Sequence, residues 1–232
     1  MSKLFTVASI GLRLANIAGI AFGSICTICG QISRSSCAAC EAQVLQIAST
    51  NNSPKFHDDV IVAFGYQSNI RKMILGFKYR NQRSSIGLLG GALVARIRTE
   101  LVEIDLVTWA PTTSARKFER GHDHAELIAR YIAGELRVPC RQILRRLSTE
   151  PQTGRTRNER LTGPRFLSRD LKNQHVLVID DVVTTGATLK GASRALYSGG
   201  AGRVSCAAVA STVSWASSIE SCAQGKARRS RP

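Results

Sequence analysis

The apolar positions of this chain fall into two rhythms that alternate along its length. Short runs rich in β-branched residues occur from Val60 to Tyr66, Ile104 to Ala110, Val176 to Ile179 and Val204 to Ala210. Such runs predict strands, and those at Ile104 and Val176 read as buried on both faces. A further strand is expected from Arg141 to Leu147. Between them the apolar spacing turns helical, at Ile70 to Phe77, Ile86 to Ile97, His124 to Leu136 and Leu189 to Leu196. Gly199-Gly200 ends the last of these helices. Strands alternating with helices predict an α/β fold, a mainly parallel sheet flanked by helices. Near the N-terminus, Ile10, Leu14, Ile17 and Ala21 share one helical face, which predicts an amphipathic helix packed on the protein itself.

The strand at Val176 carries the candidate chemistry. Asp180 and Asp181 appear where it should end, followed by Val182, Val183, Thr184, Thr185, Gly186, Ala187 and Thr188, and then by the helix. In a parallel α/β sheet, ligands collect at the carboxyl ends of strands. The N–H groups of a helix start attract an anion, and the Thr184, Thr185 and Thr188 hydroxyls can donate to the same phosphate. Gly186 lets the backbone approach without a Cβ in the way. The two carboxylates repel phosphate but accept hydrogen bonds from a vicinal diol. Together these features describe a receptor for a phosphorylated sugar. A Walker B strand would need an upstream G-x-x-x-x-G-K-[ST], which is missing, and a receiver domain would need far more chain after Asp181.

Charge and cysteines add to this picture. The formal charge of +16 suits polyanionic partners, whether a phosphorylated small molecule, nucleic acid or anionic lipid. Seven cysteines, an odd number, argue against a secreted disulfide framework. Four of them form Cys26-x-x-Cys29 and Cys37-x-x-Cys40, two knuckles that can complete a tetrahedral Cys₄ zinc site. Redox Cys-x-x-Cys pairs or an iron–sulfur site are the rival readings. Four thiols leave no open position for catalysis, which favours structural zinc. Arg13 and Asn16 interrupt the N-terminal apolar run, which points away from a signal peptide or membrane span and towards the cytoplasm. The expected layout is a helix and Cys₄ segment over residues 1–50, the α/β domain over 51–215, and a basic, disordered tail over 216–232.

The Asp180–Thr188 stretch resembles the phosphoribosyl-diphosphate (PRPP) signature of type I phosphoribosyltransferases. In that family the acidic pair binds the ribose hydroxyls and the threonine-rich loop binds the 5′-phosphate. More narrowly, the chain resembles the ComF family, the group of competence and GntX-type proteins. The Cys₄ head, Phe77-Lys78-Tyr79, Pro111 with Arg116 and Arg120-Gly121, and the PRPP stretch carry this likeness. So does the segment holding Gln152, Arg155, Arg157, Asn158 and Arg160, although Asn158 precedes Arg160 here. After Arg-Gly the family has Phe-Asn-Gln, whereas this chain has His122-Asp123-His124. That departure bears on base recognition and helix capping, and both histidines read as surface residues.

The resemblance implies PRPP binding by Asp180, Asp181 and the 182–188 turn, with Lys78, Pro111 and Gly121 contributing. It implies that Arg116, Arg120 and Mg²⁺ stabilise the pyrophosphate leaving group, while a mobile loop from Glu150 to Arg165 closes over the substrate. The expected reaction is phosphoribosyl transfer to an acceptor that no residue identifies. The rival function is a non-catalytic accessory protein of DNA uptake, binding DNA through its basic surface and zinc head.

Overall fold

The computed structural model describes residues 25–33, 36–49, 56–57, 60–80, 85–101, 103–114, 118, 122–147 and 164–212. The helix expected around Ile10, the linker, Arg116, Arg120, Gly121, the loop residues Gln152 to Arg160 and the basic tail lie outside them.

In chain order the elements are α1 (Ala38–Ser49), β1 (Phe56–His57), β2 (Val60–Gly65), α2 (Ser68–Arg80), α3 (Ser85–Glu100), β3 (Leu106–Trp109), α4 (His124–Leu136), β4 (Leu144–Arg146), β5 (Phe166–Ser168), β6 (His175–Val183), α5 (Ala187–Ser198) and β7 (Arg203–Ser211). Five strands form one sheet in the order β1-β2-β7-β6-β3, and β4 and β5 form a separate antiparallel pair. Apart from β1, which runs antiparallel to β2, neighbours in the large sheet are parallel. The α/β architecture expected from the alternating rhythms is therefore present.

Alternation along β6 divides the interior into two layers. Leu177 and Ile179 face one core, built with Ile70, Leu93, Ile128 and Trp109 from α2, α3, α4 and β3. Val176 and Val178 face the other, built with Leu189 and Leu196 of α5 and Phe166 of β5. With a helix layer on each side, the central strands must be apolar on both faces, hence the unbroken run in the sequence. Gly191 permits the close seating of β5 on α5: a Cβ there would lie 2.4 Å from the Pro164 carbonyl oxygen.

The cysteine segment is not a free appendage. Cys26, Ile28, Cys40 and Val44 belong to the same apolar cluster as Phe64 and Phe77. Lys72 Nζ donates to the Ile28 carbonyl at 3.2 Å, and Asn69 Nδ2 donates to Gln43 Oε1 at 3.1 Å. Two strand boundaries differ from expectation. The strand expected over residues 141–147 is ordered only from Leu144 to Arg146, where it pairs with β5, a strand the local pattern did not announce. And β6 does not end before the acids; it continues through Asp180 and Asp181 to Val183, because β7 runs beside it that far. No helix among the described residues is long and apolar enough to cross a membrane.

Candidate functional site

Unequal strand lengths create the site. β3 ends with Trp109 opposite Ile179, and the last bond on that side runs from the Ala110 N–H to the Ile179 carbonyl at 3.0 Å. Pro111 follows and has no N–H to continue the ladder. On its other side β6 stays paired, Asp180 with Ala208 and Val182 with Ala210. The two carboxylates therefore stand in a notch, held firmly by β7 but beyond the end of β3. A cavity of about 180 Å³ occupies this notch, with Lys78, Pro111, Asp123, Arg146, Asp180 and Asp181 among its lining residues.

Each lining group has a local reason to be there. Asp123 precedes α4 in an extended conformation and caps it, accepting from the Ala125 N–H at 3.1 Å. Its other oxygen accepts from the Thr112 N–H at 2.8 Å. Helix capping therefore survives the local departure from the ComF pattern. His124, expected at the surface, is instead buried, and its Nε2 lies 3.3 Å from the Phe77 carbonyl oxygen. It packs edge-on against the Phe77 and His122 rings, each centroid 4.8 Å away. His122 is itself half-buried, so neither residue is the solvated histidine its polar neighbourhood suggested. These contacts fix the end of α2, from which Lys78 reaches Asp181 Oδ2 at 2.7 Å.

Asp180 is half-buried like its neighbour. Its Oδ1 accepts the Asp181 N–H at 2.8 Å. Desolvation and then the neighbouring Asp181 charge push its carboxyl up to about 8, with Asp123 adding to the effect and the Asp181 N–H and Lys78 opposing it. The shift favours the protonated, hydrogen-bond-donating form of Asp180.

Past Val183 the chain turns through Thr184 and Thr185, both exposed, to Gly186, which takes φ 71°. This left-handed residue is the N-cap of α5 and has no side chain to occupy the helix start. Of the expected loop, Val182 and Thr188 line the cavity, together with Lys78, Pro111 and the acids. Val183, Thr184, Thr185, Gly186 and Ala187 form the rest of the strand end and turn. Six lining residues were missed from the sequence, among them Asp123, His124 and Arg146. A capping pattern ahead of an apolar helix could have flagged Asp123. Nothing local marks Arg146, whose NH1 donates to the Pro111 carbonyl at 3.3 Å and whose guanidinium lies over the Phe166 ring.

In the cysteine segment the Sγ atoms of Cys26, Cys29, Cys37 and Cys40 all lie within 4.8 Å of one another. Cys29 and Cys37 are 3.7 Å apart, close to the ~3.8 Å edge of a tetrahedron with zinc–sulfur bonds of about 2.3 Å. The Cys37 N–H points at Cys26 Sγ, 3.4 Å away. Burial works against the Cys26 thiolate, but N–H donors from Cys29, Cys37 and Ile28 outweigh it and bring the thiol down to about 6. At Cys40, burial and the neighbouring sulfurs push the thiol up to about 12. A soft four-sulfur donor set of these dimensions can hold a metal such as zinc.

Residues 123–223 match the phosphoribosyl transferase domain family. The chain is 28% identical over 186 residues to the competence protein ComFC of Bacillus subtilis, covering 77% of this chain and 73% of that one. Among solved structures it is similar to adenine phosphoribosyltransferase from Leishmania donovani, at 18% identity and a TM-score of 0.39 over 74% of this chain and 67% of that one. It is also similar to a purine phosphoribosyltransferase from Pyrococcus horikoshii, at 17% identity and a TM-score of 0.36 over 56% and 84%.

Proposed function

We propose that this ComF-type chain, a type I phosphoribosyltransferase-like protein, binds PRPP in the notch at the end of β6 and transfers its phosphoribosyl group to an acceptor. The observation that carries the reading is the placement of Asp180 and Asp181 beyond the end of β3, beside a helix start opened by Gly186. A diol-binding pair and an anion-binding turn then lie within one ligand's reach.

In the reaction the bond between C1 of the ribose and the pyrophosphate oxygen breaks, and the acceptor forms a new bond to C1. Charge develops in two places, positive on the ribosyl ring and negative on the departing pyrophosphate. Asp180 and Asp181 fix the ring through its hydroxyls. Lys78 and Arg146 supply positive charge on the β3 side of the cavity, and the Thr184–Thr188 turn holds the 5′-phosphate. Arg116 and Arg120, with the 150–165 loop, are assigned to pyrophosphate stabilisation and water exclusion on the sequence alone. The oxygen donors of the notch suit a hard cation, and Mg²⁺ held chiefly by the pyrophosphate would neutralise leaving-group charge. Rate enhancement would come from positioning and electrostatics, with no covalent nucleophile. Zinc on Cys26, Cys29, Cys37 and Cys40 would be structural, because four thiolates complete its shell.

Calorimetric titration of PRPP with Mg²⁺ tests the reading. Wild type should bind, and the Asp180→Asn/Asp181→Asn variant should lose at least about tenfold in affinity, the equivalent of one or two charged hydrogen bonds. No binding by folded, zinc-loaded wild type would sink it. A screen of nitrogenous acceptors for pyrophosphate release then decides whether turnover occurs.

A second reading, an accessory role in DNA uptake, draws support from the +16 charge and from the competence name of its B. subtilis relative. It predicts DNA binding with a steep salt dependence in the absence of any PRPP affinity.

A further inference from the structure

Three grooves adjoin one another across the layer formed by α5 and the β4–β5 pair. The first, of about 510 Å³, follows α5, with Lys190, Arg194 and Tyr197 on its wall and Val60, Val204 and Cys206 beside them. The second, of about 590 Å³, lies between α5 and β5; it includes Arg194 again, with Arg165 and Leu167. The third, of about 530 Å³, lies over the β4–β5 pair, shares Leu167 and Ser168 with the second and adds Arg145 and Arg169. Shared walls make the three one continuous track. Five cationic side chains line it, no described Asp or Glu does, and none of its lining residues lines the notch.

Local geometry assembles this track. Lys190, Arg194 and Tyr197 lie four and three residues apart, so one face of α5 carries all three. Along β5, alternation turns Phe166 inward and leaves Leu167 48% exposed, opposite Arg145 of β4. Tyr197 is 53% exposed, and its hydroxyl accepts the Val204 N–H at 3.2 Å, which holds the ring beside the start of β7. A fixed aromatic ring next to cations offers an unpaired base a stacking surface and the adjoining phosphates their counter-charge.

We propose that this track binds single-stranded nucleic acid, with a base stacked on Tyr197 and the backbone following Lys190, Arg194 and Arg165 towards Arg145 and Arg169. The form of the ligand follows from the shape of the surface. A duplex hides its base faces and is read by elements that protrude into its grooves, whereas these are concavities with an exposed ring on one wall. The inference rests on the nucleic-acid reading above, narrows it from the zinc head and the basic surface at large to one face, and is independent of PRPP binding in the notch.

Fluorescence anisotropy of the full chain with a thymidine oligonucleotide of about 20 nucleotides, and with a duplex of equal length, tests this. The single strand should bind more tightly than the duplex, by about threefold or more. Arg169→Gln/Arg194→Gln should lower its affinity about tenfold and flatten the salt dependence by about one to two phosphate contacts, while PRPP titration of the same variant stays unchanged. Tyr197→Ala should lose about tenfold with the salt dependence unaltered, and Tyr197→Phe, which keeps the ring, should stay within about threefold of wild type. Thermal unfolding identifies the variants that fold, and the arginine pair serves if Tyr197→Ala does not. Binding indifferent to strandedness or to these substitutions would reflect diffuse attraction by the net charge; it overturns this proposal and leaves the wider nucleic-acid reading standing. Displacement of the strand by polyglutamate as readily as by unlabelled strand would mark the track as a seat for an acidic protein segment and also overturns it. No binding of either oligonucleotide sinks both readings.

Discussion

Asp123 Oδ2 accepts the backbone N–H of Thr112 at 2.8 Å, so one buried carboxylate ties the segment leaving β3 to the helix that follows it. Its other oxygen caps α4. Because Pro111 and Thr112 line the notch, the same side chain sets the shape of the site and the stability of a helix.

Substituting Asp123 should therefore disturb both. Asp123→Ala removes the cap and leaves the Thr112 N–H without its acceptor, at about 2 kcal/mol in all. Asp123→Asn keeps one acceptor oxygen and should lose roughly half as much. Urea unfolding of the two variants measures this directly. An alanine variant as stable as wild type would mean that the Thr112 bond contributes nothing in solution.

Asp180 gives the fold a pH dependence of known sign. Desolvation and the Asp181 charge push its carboxyl from an ordinary 3.8 up to about 8, so between those limits the native state keeps a proton that the unfolded state loses. The stabilisation is fully present below the lower value and is lost as pH rises towards the upper one. Within the window the slope from this group approaches about 1.4 kcal/mol per pH unit. Asp180→Asn cannot ionise and should flatten the profile, becoming the more stable form near pH 8. Chemical denaturation at several pH values provides the check; parallel profiles for variant and wild type would exclude Asp180 as the source.

The cysteine cluster shares its apolar neighbours with the main sheet, since Cys26 and Cys40 pack in the cluster that contains Phe64 and Phe77. Loss of metal should accordingly weaken the whole α/β unit. With zinc stripped by a chelator, or in Cys40→Ser, the melting temperature should fall by several degrees at least, on the order of ~2 kcal/mol or more, with roughly one equivalent of zinc released. Metal analysis alongside the melt decides this, and a melting curve indifferent to zinc would confine the site to local structure.

How far the sequence revealed these features depended on the range of the interactions involved. The β6 run and the α4 helix were legible because a strand buried on both faces must be apolar throughout, and because burial of one helix face imposes its spacing. The four cysteines were equally legible, since each knuckle is a local pattern. The end of β6 was misplaced. Two adjacent aspartates look like a strand terminus, yet the ladder to β7 carries the strand past them. β5 was missed because three residues paired to a short partner leave almost no periodic trace. The histidines were misjudged because polar, charged neighbours along the chain do not reveal the Phe77 ring that packs against His124.

The sequence by itself determined the alternation of the long central strands with their helices, the acidic pair with its hydroxyl-rich turn, and the two cysteine knuckles. All of these depend on residues close together in the chain, where backbone geometry and side-chain type suffice. Tertiary structure alone decided that β3 stops one residue short of the acids, that Lys78 meets Asp181, and that Arg146 and Asp123 join them in one cavity. Those relationships arise where α2, β3, α4, β4 and β6 converge. They depend on differences in strand length and on packing between segments distant in the chain, which no local pattern records.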